Sequence, residues 1–295
     1  MTTEAVAVKR SAGRRLADLF YGRRRLQVGS LLAAPGAWLV ILYVGSLAVL
    51  LITAFWTVNP VSGETVKGFS FENIERLWSE PVYREIIWRT VRTAALVTIT
   101  DTVIAFPIAF YMAKVASRRG KALLVVAVLM PLWSSYLVKV LSWRTMLSED
   151  GVINWALNPL GLHGPGYGLT AVWLVLSYLW LPYMILPIWA GLERIPNSLI
   201  SASEDLGASP FTSFRRVILP LAFPAVVAGS IFTFSLSLGD YITPKLVSNE
   251  QFIGTTIFNF ITTEQPFAAA LALVPIVVMI AYLSVARKLG AFEHV

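Results

Sequence analysis

Six apolar runs, each long enough to cross a lipid bilayer, constrain this chain more than any other feature of its sequence. They fall at about residues 32–57, 88–113, 122–145, 169–191, 221–243 and 266–286. Hydrocarbon about 30 Å thick needs about 20 apolar residues in a helix that rises about 1.5 Å per residue. A segment in lipid must also satisfy its own backbone N–H and C=O groups. Each run is therefore expected to be a helix, and the chain an all-α integral membrane protein. Only 14% of its 295 residues are charged, against about a quarter in soluble domains. Residues 1–31 form a basic segment that resembles the start of a signal peptide. The apolar run that follows is too long for one and lacks a convincing cleavage site, so it reads as an uncleaved first span.

Six spans put both termini on one side of the membrane. Segments 1–28, 114–121, 192–219 and 287–295 hold 16 of the 24 Lys and Arg residues. The positive-inside rule assigns these segments to the cytoplasm. The net charge of +7 is then a consequence of topology, and nucleic-acid binding is set aside. Residues 58–87 and 146–168 become exterior loops, the first with a short helix expected around Phe71–Trp78. The expected organisation is a cytoplasmic N-terminal segment, 1–31, and a membrane domain, 32–295. That domain is interrupted by a polar cytoplasmic loop at 192–220.

Several chemistries are missing. There is no cysteine, and the two histidines are His163 and His294, which leaves no ligand set for a metal. No phosphate-binding G-x-x-x-x-G-K-[ST] loop occurs; Gly164-Pro-Gly-Tyr-Gly168 has no strand before it and reads as a turn. Asp101 and Asp240 lie within spans, which raises an intramembrane aspartyl protease. Such enzymes carry Gly-x-Gly-Asp, whereas Ser237-Leu-Gly precedes Asp240 and Thr100 precedes Asp101. An ion-gradient-driven transporter is the other alternative. Its usual mark, an internal repeat with broken helices in both halves, is not visible.

The polar stretch Ser201–Pro224 is ordered rather than merely hydrophilic. Asn197 is placed to cap a short helix, with Leu199, Ala202 or Ser203, and Leu206 on one face. Gly207 is placed to end that helix in a left-handed conformation. Ser209-Pro210 then starts a second helix, whose apolar face is Phe211, Phe214 and Ile218. Pro220 and Pro224 are expected to break it where the fifth span begins. These signals predict a helix–turn–helix elbow on the cytoplasmic membrane surface.

This elbow resembles the cytoplasmic loop of permease subunits of binding-protein-dependent ATP-binding cassette (ABC) importers. Their pattern is Glu-Ala-Ala, three residues, Gly, about nine residues, Ile or Val, one residue, Leu-Pro. Ala202, Gly207, Val217, Leu219 and Pro220 match it, while Ser201 replaces the Glu and Ser203 the second Ala. Asp205-Leu-Gly-Ala-Ser209, Pro131-Leu-Trp-Ser-Ser-Tyr-Leu-Val-Lys-Val-Leu-Ser-Trp143 and Leu238-Gly-Asp-Tyr-Ile-Thr-Pro-Lys-Leu-Val247 are similar to the polyamine and opine branch.

The resemblance implies a type I importer permease fold in a bacterial inner membrane. Its partners would be a second, homologous permease subunit in a heterodimer, two copies of a cytoplasmic ATPase and an extracytoplasmic binding protein. ATP and Mg²⁺ would be held by the ATPase, and this chain would bind no cofactor and catalyse nothing. Ser201, Ala202, Ser203, Glu204, Asp205, Leu206, Gly207, Ala208 and Ser209 would couple to the ATPase. Polar residues inside the spans are the candidates for the solute path. They are Asp101, Trp133, Tyr136, Lys139, Trp143, Tyr178, Asp240 and Tyr241, with Trp180 and Tyr183 as further aromatics. An ammonium solute suits aromatic faces beside a carboxylate, which favours a polyamine such as spermidine or putrescine. Asp101 is also placed to pair with Lys139 or with a partner's Arg, and Asp240 to cap the outer end of the fifth span.

Overall fold

Backbone groups buried in lipid have only one another to bond, and the apolar runs accordingly form helices. The computed structural model describes residues 24–59 and 62–288. Residues 1–23 and 289–295 lie outside the described residues, and with them most of the basic N-terminal segment and His294.

From Arg24 to Thr53 the chain is helical. Helix α1 (Arg24–Trp38) continues through a π-turn (Leu39–Val44) into α2 (Gly45–Thr53). This span ends before the expected residue 57, because Thr57–Val58 (β1) is drawn into an antiparallel ribbon with Thr65–Val66 (β2), in the register Thr57↔Val66. The expected short exterior helix is α3 (Glu72–Ser79).

From Ala54 onward the chain forms a second unit, built on three mutually packed helices, α4 (Pro81–Phe110), α8 (Leu169–Arg194) and α11 (Leu219–Gly239). Helix α4 starts about two turns before the expected residue 88, with Pro81 in its first turn, where the missing N–H is harmless. A π-turn, Tyr111–Val115, extends it. Small residues let the three backbones approach closely. A Cβ at Gly191 would lie 2.3 Å from that of Ala225, and one at Gly229 would lie 2.8 Å from Met184 Sδ. Pro182, Pro187 and Pro224 sit inside α8 and α11 without breaking them.

The third run is a bent pair, α5 (Arg118–Trp133) and α6 (Tyr136–Leu147), meeting at 91°. Pro131 does not itself interrupt α5. The Ser134 N–H bonds back to the Pro131 carbonyl at 3.3 Å, tightening the last turn, and Ser134 and Ser135 are then extended. After α6 come α7 (Val152–Leu157), then α8 and the elbow. Beyond α11 follow α12 (Ile242–Val247), α13 (Ile253–Phe260) and α14 (Gln265–Lys288). Five helical segments are long and apolar enough to span a membrane, and the bent pair makes a sixth.

The end of this unit away from the elbow is stapled by charge. Arg76 of α3 reaches Glu264 at 2.7 Å and lies 4.2 Å over the Phe267 ring. Burial alone would lower the Arg76 pKa, but the hydrogen bond to Glu264 and nearby negative charge outweigh it and raise it. Arg89, two turns into α4, holds Glu85 at 2.6 Å and also pairs with Glu250.

Candidate functional site

The first arm of the elbow is α9 (Asn197–Asp205). Pro196, not Asn197, occupies its cap position; Asn197 Oδ1 instead accepts from Lys114 Nζ at 3.2 Å. Lys114 also donates to the Ile195 carbonyl at 2.5 Å, so the end of the second span holds the start of the elbow. At the far end Gly207 has φ +81°. Its N–H bonds to the Glu204 carbonyl at 2.8 Å, and the Ala208 N–H to that of Ser203 at 3.0 Å. That reciprocal pair is a Schellman stop, and its left-handed residue favours glycine.

Ser209 then caps the second arm, α10 (Pro210–Ser213), accepting from the Thr212 N–H at 3.3 Å. The arm does not end at Pro220. It runs through a π-turn (Phe214–Ile218) into α11, giving one continuous helical segment, Pro210–Gly239. Pro220 sits in the first turn of α11, where proline is tolerated. The second arm of the elbow and the fifth span are thus one continuous helical segment.

The predicted apolar face of the second arm divides. Ile218 is buried, and Phe214 packs edge-on against Phe106 and Phe110 of α4 at 5.6 and 6.4 Å. Phe211 points outward, as do Leu199 and Leu206, the last 89% exposed. Ser201, Ala202, Glu204, Asp205 and Ser209 are exposed; Ser203 and Ala208 are half-buried. Ser203 bonds the Ser213 hydroxyl at 2.6 Å, joining the two arms. Ser213 and Lys114 escaped the sequence reading, because neither belongs to a local pattern.

The intramembrane candidates separate into two grooves and two outliers. One groove, about 340 Å³, is lined by Tyr136, Trp180, Ser235, Asp240 and Tyr241. Tyr136 stacks on Trp180 with ring centroids 5.9 Å apart, and Trp180 meets Tyr183 at 5.8 Å. Asp240 is held on every side. Its Oδ1 accepts from the N–H groups of Ile242 and Thr243 at 2.9 and 3.0 Å. Its Oδ2 accepts from Tyr136 at 2.5 Å and from the Thr243 hydroxyl at 3.0 Å. Asp240 is thus the C-cap residue of α11, as expected, and its side chain also bonds the first N–H groups of α12 and ties α6 to that turn. Helix α13 seats on this turn: a Cβ at Gly254 would lie 2.8 Å from the Asp240 carbonyl oxygen, and Phe258 stacks on Tyr241 at 5.2 Å.

The second groove, about 370 Å³, contains Lys139, Trp143 and Tyr178, together with Ser134 and Ser142. Trp143 and Tyr178 meet at 5.4 Å. The outliers are Trp133, 81% exposed at the end of α5, and Asp101, fully enclosed between the central helices. The suggested Asp101–Lys139 pair does not form: Asp101 has no cation beside it, and its polar neighbour is Ser177 of α8. Rotation of α4 points Asp101 into the bundle, while Lys139 lines a groove.

The fold is a bundle of apolar helices with a bent third span and a helical elbow continuous with the fifth, and solved transporters share it. The alginate importer from a bacterium, an ABC transporter solved by crystallography, superposes with a TM-score of 0.70 at 18% identity, covering 93% of this chain and 99% of that one. The MetNI methionine ABC transporter gives 0.55 at 18% identity, covering 72% and 97%. Residues 88–290 match the family described as "Binding-protein-dependent transport system inner membrane component", and the chain belongs to that family. It is 41% identical over 297 residues to the inner membrane ABC transporter permease protein YdcU of Escherichia coli K12, covering 95% of each. Over 212 residues it is 30% identical to the spermidine/putrescine transport system permease protein PotB of Haemophilus influenzae, covering 69% of this chain and 73% of that one. The chain is thus the permease subunit of an ABC importer, and ATP hydrolysis belongs to a separate subunit.

Proposed function

We propose that this permease passes a small polyamine-like solute, handed over by an extracytoplasmic binding protein, across the inner membrane with both termini in the cytoplasm. The observation that carries the solute class is the groove of Tyr136, Trp180, Tyr241 and Asp240. Its aromatic faces suit an ammonium, at about 0.5–2 kcal/mol per good contact. The carboxylate of Asp240 gives that groove a negative edge while its own hydrogen bonds hold it in place. The kinship with PotB supports the same class.

The elbow from Ser201 to Ser209 docks on the ATPase, which binds ATP and Mg²⁺, and two ATPase copies serve a pair of permease subunits. Exposed apolar Leu199, Leu206 and Phe211 supply the contact area. Glu204, which lines one small cavity with Ser201 and Lys114, takes the acidic role that Ser201 leaves open. When the ATPase pair closes, the continuous Pro210–Gly239 segment carries the displacement to Asp240.

Proteoliposomes containing the whole transporter test this reading. Labelled putrescine or spermidine is expected to enter only with ATP and binding protein, and Trp180→Ala to lower uptake at least tenfold. Uptake that persists without ATP, or that ignores both amines and follows a neutral solute, refutes it.

A further inference from the structure

Lys139 presents an unsolved charge. It lies at the end of the first turn of α6, about 12 Å of helix from Leu147 at a rise of about 1.5 Å per residue. Ser135, Lys139 and Ser142 recur at i, i+4 and i+7, a polar stripe on a membrane helix. Such a stripe does not face lipid. Among the described residues no carboxylate reaches the Lys139 ammonium, although this groove holds two serines beside it.

Among the described residues no free carboxylate lies beside Lys139. Asp101 is sealed among the central helices, and both oxygens of Asp240 already accept hydrogen bonds from Tyr136, Ile242 and Thr243. Glu193 pairs with Lys121 at 2.5 Å near the elbow. The remaining described carboxylates lie at helix ends or in loops. A second copy would offer the same two intramembrane carboxylates, one enclosed among its own helices and the other already accepting hydrogen bonds at both oxygens.

We infer that Lys139 forms its ion pair with a carboxylate in a membrane span of the second permease subunit, the homologous but different chain that the family resemblance implies. The inference rests on the permease pair proposed above but not on the nature of the solute. It also accounts for a cation only three residues from Tyr136: once paired, Lys139 no longer repels an ammonium in the adjoining groove. The Ser135–Ser142 stripe on α6 thereby becomes part of the subunit interface.

A membrane-permeant carbodiimide tests this on the intact transporter without solute. It joins an amine to a touching carboxyl as an amide, the water lost being taken up by the reagent. Mass spectrometry is expected to find Lys139 linked to an acidic peptide from a span of the second permease, and to lose that product in Lys139→Met. Lys121–Glu193 serves as an internal positive control. Lys139→Glu is expected to lower recovery of the second subunit with the complex at least tenfold, and changing the linked acid to Lys to restore it. A linked control with Lys139 unlinked, attached to lipid, or joined to another copy of this chain overturns the inference. So does full assembly of both Lys139→Met and Lys139→Glu. Neither readout depends on transport, so failure of the amine reading and failure of this pairing give different results.

Discussion

Gly207 offers a test in which the backbone, rather than side-chain volume, decides the result. Gly207 is exposed and a Cβ placed there meets no atom within 4 Å, so a Cβ causes no clash. The penalty comes from φ +81°. A non-glycine residue in the left-handed region costs about 1–2 kcal/mol, while Asn is tolerated more readily than others. Gly207→Ala at about 1 kcal/mol would depopulate the closed elbow about fivefold, and Gly207→Val at about 2 kcal/mol about thirtyfold. The affected structure is the Schellman pair, in which the Gly207 and Ala208 N–H groups bond the Glu204 and Ser203 carbonyls. ATP-driven uptake and ATPase activity, measured together in proteoliposomes, are expected to fall in the order Gly, Asn, Ala, Val. Membrane insertion should stay unchanged, because the glycine lies outside the spans. Equal uptake by the Gly and Val proteins would refute the reasoning. So would an Asn variant as damaged as Val, since that would point to volume instead of φ.

Three further outcomes follow from particular contacts. Ser203→Ala should lower thermal stability in detergent by about 1–2 kcal/mol, because the buried Ser213 hydroxyl loses its partner; Ser213→Ala should cost less, since the Ser203 hydroxyl keeps its bond to the Ile200 carbonyl at 2.7 Å, and a double-mutant cycle measures the difference. Gly229→Val should destabilise by about 1–3 kcal/mol by driving α8 and α11 apart at Met184, and Met184→Ala in the same chain should relieve part of it in a melting assay. Tyr136→Phe removes one of four hydrogen bonds on Asp240 and should raise the KM for amine uptake about threefold to tenfold, whereas Tyr183→Phe, farther from the carboxylate, should leave KM unchanged.

Much of the elbow was legible because its signals are local. A Gly that stops a helix and a Ser-Pro pair that starts one act within four residues, and both act where expected. Asn197 failed as a cap because Lys114, 83 positions away, claims its side chain. Pro220 and Pro224 failed as breakers because a π-turn and the first helical turn absorb the one and neighbouring helices support the other. The third span holds Pro131, a potential breaker, but bends at Ser134–Ser135, where the backbone becomes extended.

The sequence by itself determined that the chain crosses a membrane in helices, how many runs do so, and where the elbow interrupts them. Lipid forces each run to satisfy its own backbone, so length and apolarity suffice to read it. Tertiary structure alone decided the pairings. It enclosed Asp101, spent the oxygens of Asp240 on α12 and Tyr136, joined Ser203 to Ser213, and left Lys139 without a carboxylate among the described residues. Those outcomes depend on how each helix is rotated about its axis against its neighbours. A polar residue on a membrane helix shows in the sequence, but the partner it faces is chosen by packing.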